Sequence, residues 1–278
     1  MSPARAIALR LHAHYLQAER LDEFEALLSA ALERGYKPMT LLGFAQSTVA
    51  EAPAAGDRVL LMRHDIDTDV PRARRMWCIE KRLGVVGSYF FRRSVWDVGF
   101  IRELSAAGND VGYHYEELAD VVKERGAATA TQARALIGVA RERLRARLTE
   151  LRASSGLALD VLAAHGDFAN RAVGVSNVEL LADHVFRAEI GARLEAYDIE
   201  PRVWARSSDG VPATAWLPEH PMHAIRRDER VVEVLVHPRS WGGAPAVNAR
   251  ADVVRFCEGC AYRLRCARRR GRESPSSR

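Results

Sequence analysis

Arg63-His64-Asp65-Ile66-Asp67 places four ionisable side chains within five positions, directly after the apolar run Val59-Leu60-Leu61-Met62. The apolar run reads as a short buried strand, so charge at its end needs a reason. Side chains alternate across a strand, which puts Asp65 and Asp67 on one side and His64 on the other. Two neighbouring carboxylates repel unless a cation lies between them or one takes up a proton. The pattern points to a metal site with a neighbouring base. A plainer reading is a loop whose Asp69 caps a helix opening at Pro71. It accounts for Asp69 and leaves Asp65 and Asp67 unexplained.

The surrounding pattern supplies the elements that would hold such a site. Apolar residues from Leu21 to Leu32 repeat at helical spacing until Gly35, giving an N-terminal helical segment. Pro71 to Leu83 reads as a helix closed by Gly84, and Val85 to Phe91 as a strand. Phe100 to Ala107 is a second helix ended by Gly108, followed by strand-like Asp110 to Tyr115. A long helix is expected over 127–153, with a stripe of Leu136, Ile137, Ala140, Leu144, Leu148 and Leu151. Strand-like stretches return at Val161 to Ala164, Val185 to Ile190, Val203 to Ala205 and Val231 to Val236. Strands alternating with helices imply a largely parallel sheet, and about seven such units suggest a barrel or barrel-like α/β fold. An open doubly wound sheet fits the same pattern. Asp65 with Asp67, His114, His165 and His237 each follow an apolar run. In parallel α/β folds the ligand site lies at the carboxyl ends of strands, so these positions could converge on one pocket.

Composition narrows the function classes. With 278 residues, 48% hydrophobic and 28% charged, the chain's length fits one large α/β domain as well as it fits two small ones. The net charge of +5 is matched by residues 256–278 alone, which hold seven Arg and two Glu. The body has no basic bias, so no nucleic acid partner is expected. No run approaches 18 apolar residues and the N-terminus lacks a signal-peptide core, so a cytoplasmic protein without a membrane span is expected. Four Cys, at 78, 257, 260 and 266, suit a reducing compartment. Cys257, Cys260 and Cys266 have the close spacing of a zinc knuckle without its fourth ligand, and the arginine run at 268–270 reads as a disordered tail. The expected division is residues 1–255 as the α/β domain and 256–278 as a Cys/Arg-rich tail.

Several segments, in this order, resemble the divergent cytoplasmic-type branch of the polysaccharide deacetylases, carbohydrate esterase family 4. They are Arg63 to Asp67, Ser88-Tyr89-Phe90-Phe91, Gly108 to Glu116, Ala164-His165-Gly166, Ser208-Asp209-Gly210 ahead of Trp216, and Leu235-Val236-His237-Pro238 with Trp241. The resemblance implies a deformed (β/α) barrel of about seven parallel strands. It also implies hydrolysis of N-acetyl or O-acyl groups on a sugar or sugar-containing small molecule, with a divalent metal, zinc foremost. By similarity Asp65 is the base and Asp67 a metal ligand, with the inserted Ile66 leaving their order open. His114 matches the first of the family's two ligand histidines; the second falls on Leu118. His165, with Glu116 behind it, is the candidate for the missing ligand. His237 matches the late acid, and Asp209 would orient it or another catalytic group. Backbone N–H groups around Gly166 could face an oxyanion, Arg63 could pair with Asp65 or with a substrate anion, and Trp216 and Trp241 could stack on a sugar or pack in the core. A non-catalytic barrel that has lost a ligand is the alternative reading.

Overall fold

The structure is a computed structural model that describes residues 8, 11–47, 56–209, 216–242 and 245–273. The described strands are β1 (Lys37–Met39), β2 (Val59–Ile66), β3 (Ser88–Phe91), β4 (Asp110–Tyr115), β5 (Val161–Ala164), β6 (Leu194–Glu195), β7 (Ala205–Asp209), β8 (Trp216–Leu217) and β9 (Val231–Val236). The α-helices are α1 (Leu21–Glu33), α2 (Leu41–Ala45), α3 (Val70–Leu83), α4 (Val98–Ala106), α5 (Glu117–Arg125), α6 (Ala130–Arg134), α7 (Ile137–Ser155), α8 (Phe168–Val173), α9 (His184–Glu189), α10 (Pro221–Arg226) and α11 (Pro245–Glu273).

Local chemistry explains most of these limits. Asp69 accepts the Arg72 N–H, Pro71 sits in the first turn, and Gly84 closes α3 with φ of 69°. The stretch Val185–Ile190, expected as a strand, is helical instead. Asp183 accepts the N–H groups of both Val185 and Phe186, and that cap winds the segment into α9. The helix expected over 127–153 is broken at Ala135–Leu136 into α6 and α7, the first piece capped by Thr129. The expected strand at Val203–Ala205 starts at Ala205 and runs on to Asp209. Arg268–Arg270, expected in a disordered tail, continue α11.

The chain forms two compact units. The first comprises residues 1–112 and 196–249. Its strands run β3-β2-β9-β7-β8, with β1 beside β2, and every pairing is parallel except β7 with β8. On one face of this sheet Leu60, Met62, Val232, Val234 and Val236 pack with Phe24, Leu28, Met76, Ile225, Trp216 and Trp241. The register sets Arg206 beside Glu233 and Arg63 beside Leu235 on the other face. That alternation gives one apolar face and one charged face.

The second unit comprises residues 113–195 and 250–278. Here β4, β5 and β6 pair in parallel, from Tyr113 opposite Leu162 to Leu162 opposite Glu195. Ala140, Leu144, Leu148 and Leu151 form the buried stripe of α7. Gly126 ends α5 at φ of 62°, where an added Cβ would lie 2.8 Å from the backbone of Arg265. Glycine is required there by both backbone and space. Helices between largely parallel strands make this an α/β fold, which is compatible with the expected deformed barrel.

Candidate functional site

The first unit holds the acidic and late-histidine positions. Asp65 is buried and receives two hydrogen bonds from Arg63, Nε to Oδ1 and Nη2 to Oδ2, both at 2.9 Å. This planar two-point pairing fixes the carboxylate's orientation. Arg63 is fully buried, its guanidinium lying 4.6 Å from the centre of the Tyr197 ring and 5.5 Å from that of Phe90. Its charge is stabilised from several sides, and Asp65 is the foremost of these against the cost of burial. Asp67 lies just past β2 and is buried too.

Asp209 and His237 come together at the ends of β7 and β9. Asp209 Oδ1 is 2.6 Å from His237 Nδ1, while Oδ2 accepts the His237 backbone N–H at 2.7 Å and the Trp241 Nε1–H at 3.0 Å. Burial works against the charged imidazole, but the Asp209 carboxylate prevails and His237 is pushed up to about 9. The His237 side chain stays 27% exposed while that of Asp209 is 1% exposed. Trp216 and Trp241 are buried and pack edge-on at 6.0 Å. Of the two readings, sugar stacking or core packing, their burial favours packing, and Trp241 also serves Asp209. Gly210 lies outside the described residues.

Sequence reasoning missed the neighbours of Arg63. Glu233 is fully buried on β9, with Oε2 3.2 Å from Arg206 Nε, and burial pushes its carboxyl up while Arg63 and Arg206 oppose that. Arg206 also reaches Glu200 and lies 5.0 Å from the Tyr197 ring centre, so Tyr197 is flanked by two guanidinium groups. The signal was available in Val231-Val232-Glu233-Val234-Leu235-Val236, where one acid interrupts a buried strand. On the opposite side of β2, His64 stacks on Tyr89 at 4.3 Å and meets Glu80 Oε1 at 2.8 Å, all three being fully buried. His64 is thus held on the apolar side.

The second unit holds His114 and His165. His114 Nδ1 is 3.0 Å from the Ala163 carbonyl oxygen, which can only accept, so Nδ1 carries a proton and the ring is oriented by that bond. The two imidazole rings meet edge-on with centres 5.1 Å apart. His165 is fixed through its backbone, its N–H donating to Tyr115 O and its carbonyl accepting from Asn177 Nδ2 at 2.7 Å. Its Nδ1 lies 3.1 Å from Glu116 Oε2. Glu116, His165 and Asp167 are all buried, and their potential ligand atoms fall within 4.8 Å of one another. This donor set of one imidazole and two carboxylates suits a divalent cation. Lys123 Nζ stands 3.5 Å from Asp167 Oδ2 and competes for that carboxylate. Burial pushes the adjacent Glu117 up to about 7. Leu118 is fully buried in α5. A Cβ on Gly166 would enter open space, so packing does not demand glycine there. Cys257 and Cys260 are exposed on α11 whereas Cys266 is buried.

No family model matches the sequence, and no curated protein matches it. Solved structures of similar form exist. The chain is 14% identical, at a TM-score of 0.41, to a mutant of a CE4 family pseudoenzyme with restored enzymatic activity, covering 74% of this chain and 65% of that one. It is 13% identical, at 0.39, to the wild-type pseudoenzyme from Bacillus anthracis, covering 72% and 62%. A third is the CE4 domain of a multidomain xylanase from the hindgut metagenome of Trinervitermes trinervoides, 11% identical at 0.37, covering 74% and 83%. The chain thus spans slightly less than two thirds of the pseudoenzyme chains.

Proposed function

We propose that the protein is a metal-dependent hydrolase that removes an acyl group, foremost N-acetyl, from a sugar or sugar-containing precursor. In this reading Asp67, His114 and His165 hold a divalent cation, Zn²⁺ foremost, with Glu116 orienting His165. The observation that carries it is the histidine pair: His114 has its proton fixed on Nδ1 by the Ala163 carbonyl, and the ring of His165 stands 5.1 Å away beside Glu116. Imidazoles oriented through their second nitrogen are the usual form of metal-binding histidine. When bound, the cation polarises the acyl carbonyl and makes water more acidic.

The protein's own groups perform the remaining work. Asp65 is held in a fixed orientation by Arg63, and its carboxylate is the group that would take a proton from water. His237 carries its proton at neutral pH because of Asp209, and with Nδ1 turned to that carboxylate its Nε2–H is the one available to a departing amine. Asp209 acts by positioning and charging His237. The roles of Asp65 and Asp67 remain exchangeable in this scheme.

Elemental analysis of the wild type and of Asp67→Ala and His114→Ala tests the assignment, with circular dichroism as the control for folding. Loss of stoichiometric metal from both variants is expected, and full occupancy in both would sink it. A second reading is favoured by one observation, the buried Leu118 where the family pattern has a ligand. A non-catalytic barrel would release no acyl group from a panel of N-acetylated sugars with added zinc or cobalt, and clear turnover would exclude it.

A further inference from the structure

We propose that the outer face of α11 lies on an anionic membrane surface. Its inner face is committed to the second unit. Tyr262 and Cys266 are buried there, Tyr262 OH donates to Ala127 O at 2.6 Å, and Arg265 Nη1 donates to Lys123 O at 3.2 Å. One helical half-turn away, Val253, Phe256, Cys257, Cys260 and Leu264 recur at intervals of three or four residues, and all are exposed. Phe256 is 72% exposed and Val253 and Leu264 are each 62% exposed. The stripe is about 16 Å long at 1.5 Å per residue. A soluble helix ordinarily turns charge toward water on this side, so the stripe needs a cover.

The charges beside the stripe select the cover. At 3.6 residues per turn, Arg263 and Arg270 run along one edge and Arg268 along the other. All three are exposed. Residues 245–270 contain seven arginines against Asp252 and Glu258, and Glu258 is already 3.2 Å from Lys123 Nζ. An apolar strip edged by arginines fits an anionic lipid surface, where the side chains enter the acyl boundary and the guanidinium groups meet phosphates. A second copy would bring like charges together. A nucleic acid would leave the apolar strip without a partner. No described helix is long and apolar enough to cross a membrane, so the contact would be peripheral.

The test is co-sedimentation of the full chain with phosphatidylcholine vesicles made with and without phosphatidylglycerol. Binding to the anionic vesicles alone, weakened by salt, is expected. The double variant Phe256→Glu/Leu264→Glu should bind at least tenfold more weakly with an unchanged circular dichroism spectrum. Arg263→Glu/Arg268→Glu should lose binding to a similar degree. Absence of binding to anionic vesicles, equal binding to neutral ones, or undiminished binding by Phe256→Glu/Leu264→Glu would each overturn the proposal. So would a dimer in size-exclusion chromatography that the apolar double variant separates while no vesicle binding is seen.

Discussion

Asp209 grips His237 twice, once at ring nitrogen Nδ1 at 2.6 Å and once at the backbone N–H at 2.7 Å. The same carboxylate therefore sets the ring's charge, its tautomer and its place at the end of β9. Asp209→Asn keeps the shape and removes the charge. In the proposed hydrolysis, the alkaline limb of the pH profile is expected to move down by at least one unit from about 9, with little change in KM. A histidine titration followed by NMR checks the same shift without turnover.

The raised value also links stability to pH. A histidine charged more readily in the folded than in the unfolded state stabilises the fold fully below the unfolded value of about 6.5. That contribution is lost as pH rises through about 9. Urea unfolding midpoints of the wild type should fall from about pH 6 to about pH 10 by the equivalent of ~3 kcal/mol more than those of His237→Gln.

Arg63 is the central cation of a buried charged group, with Asp65 in bidentate contact and the negative charge of Glu233 also favouring its charged form. Arg63→Ala leaves buried carboxylates without their counter-charge and should cost about 3–5 kcal/mol in chemical denaturation. Arg63→Lys keeps the charge and loses the planar fork, so it should fall between.

Glu116 stands behind His165 at 3.1 Å. If it orients the ring for a metal, Glu116→Gln should weaken metal affinity about 10- to 100-fold while leaving the stoichiometry reachable at high metal. His165→Ala should lower the stoichiometry itself. Titration calorimetry with Zn²⁺ distinguishes the two outcomes.

Leu118 fills the core of the second unit. Leu118→His, which writes the family's second histidine into the chain, should lower stability by about 1–3 kcal/mol because it buries a polar ring without a prepared partner. Metal analysis is expected to show no additional ion.

What the sequence made legible follows the range of the forces involved. Asp69, Pro71 and Gly84 act within a few residues, so α3 could be read with its cap, its first turn and its close. That Asp67, His114, His165 and His237 stand at or just past the ends of strands was legible because each follows an apolar run. The partners were not: Glu233 and Arg206 come from different strands and touch Arg63 or its ring neighbour only through the register of β2, β7 and β9. The expected strand at Val185–Ile190 failed for the opposite reason. Its β-branched and apolar residues suited a strand, but only Phe186 and Ile190 are buried, four residues apart as on one helix face, and an aspartate cap starts the turn.

The two faces of β2 have a consequence for folding itself. In the native register Leu60, Met62 and Ile66 lie with the apolar residues while Arg63 and Asp65 lie with Glu233. A slip of one residue against β3 or β9 would turn the guanidinium and carboxylate into the hydrocarbon layer and leave methionine and leucine among charges. The acidic and basic side chains thereby proofread the strand alignment. A misthreaded sheet would be rejected on energetic grounds before any substrate was met.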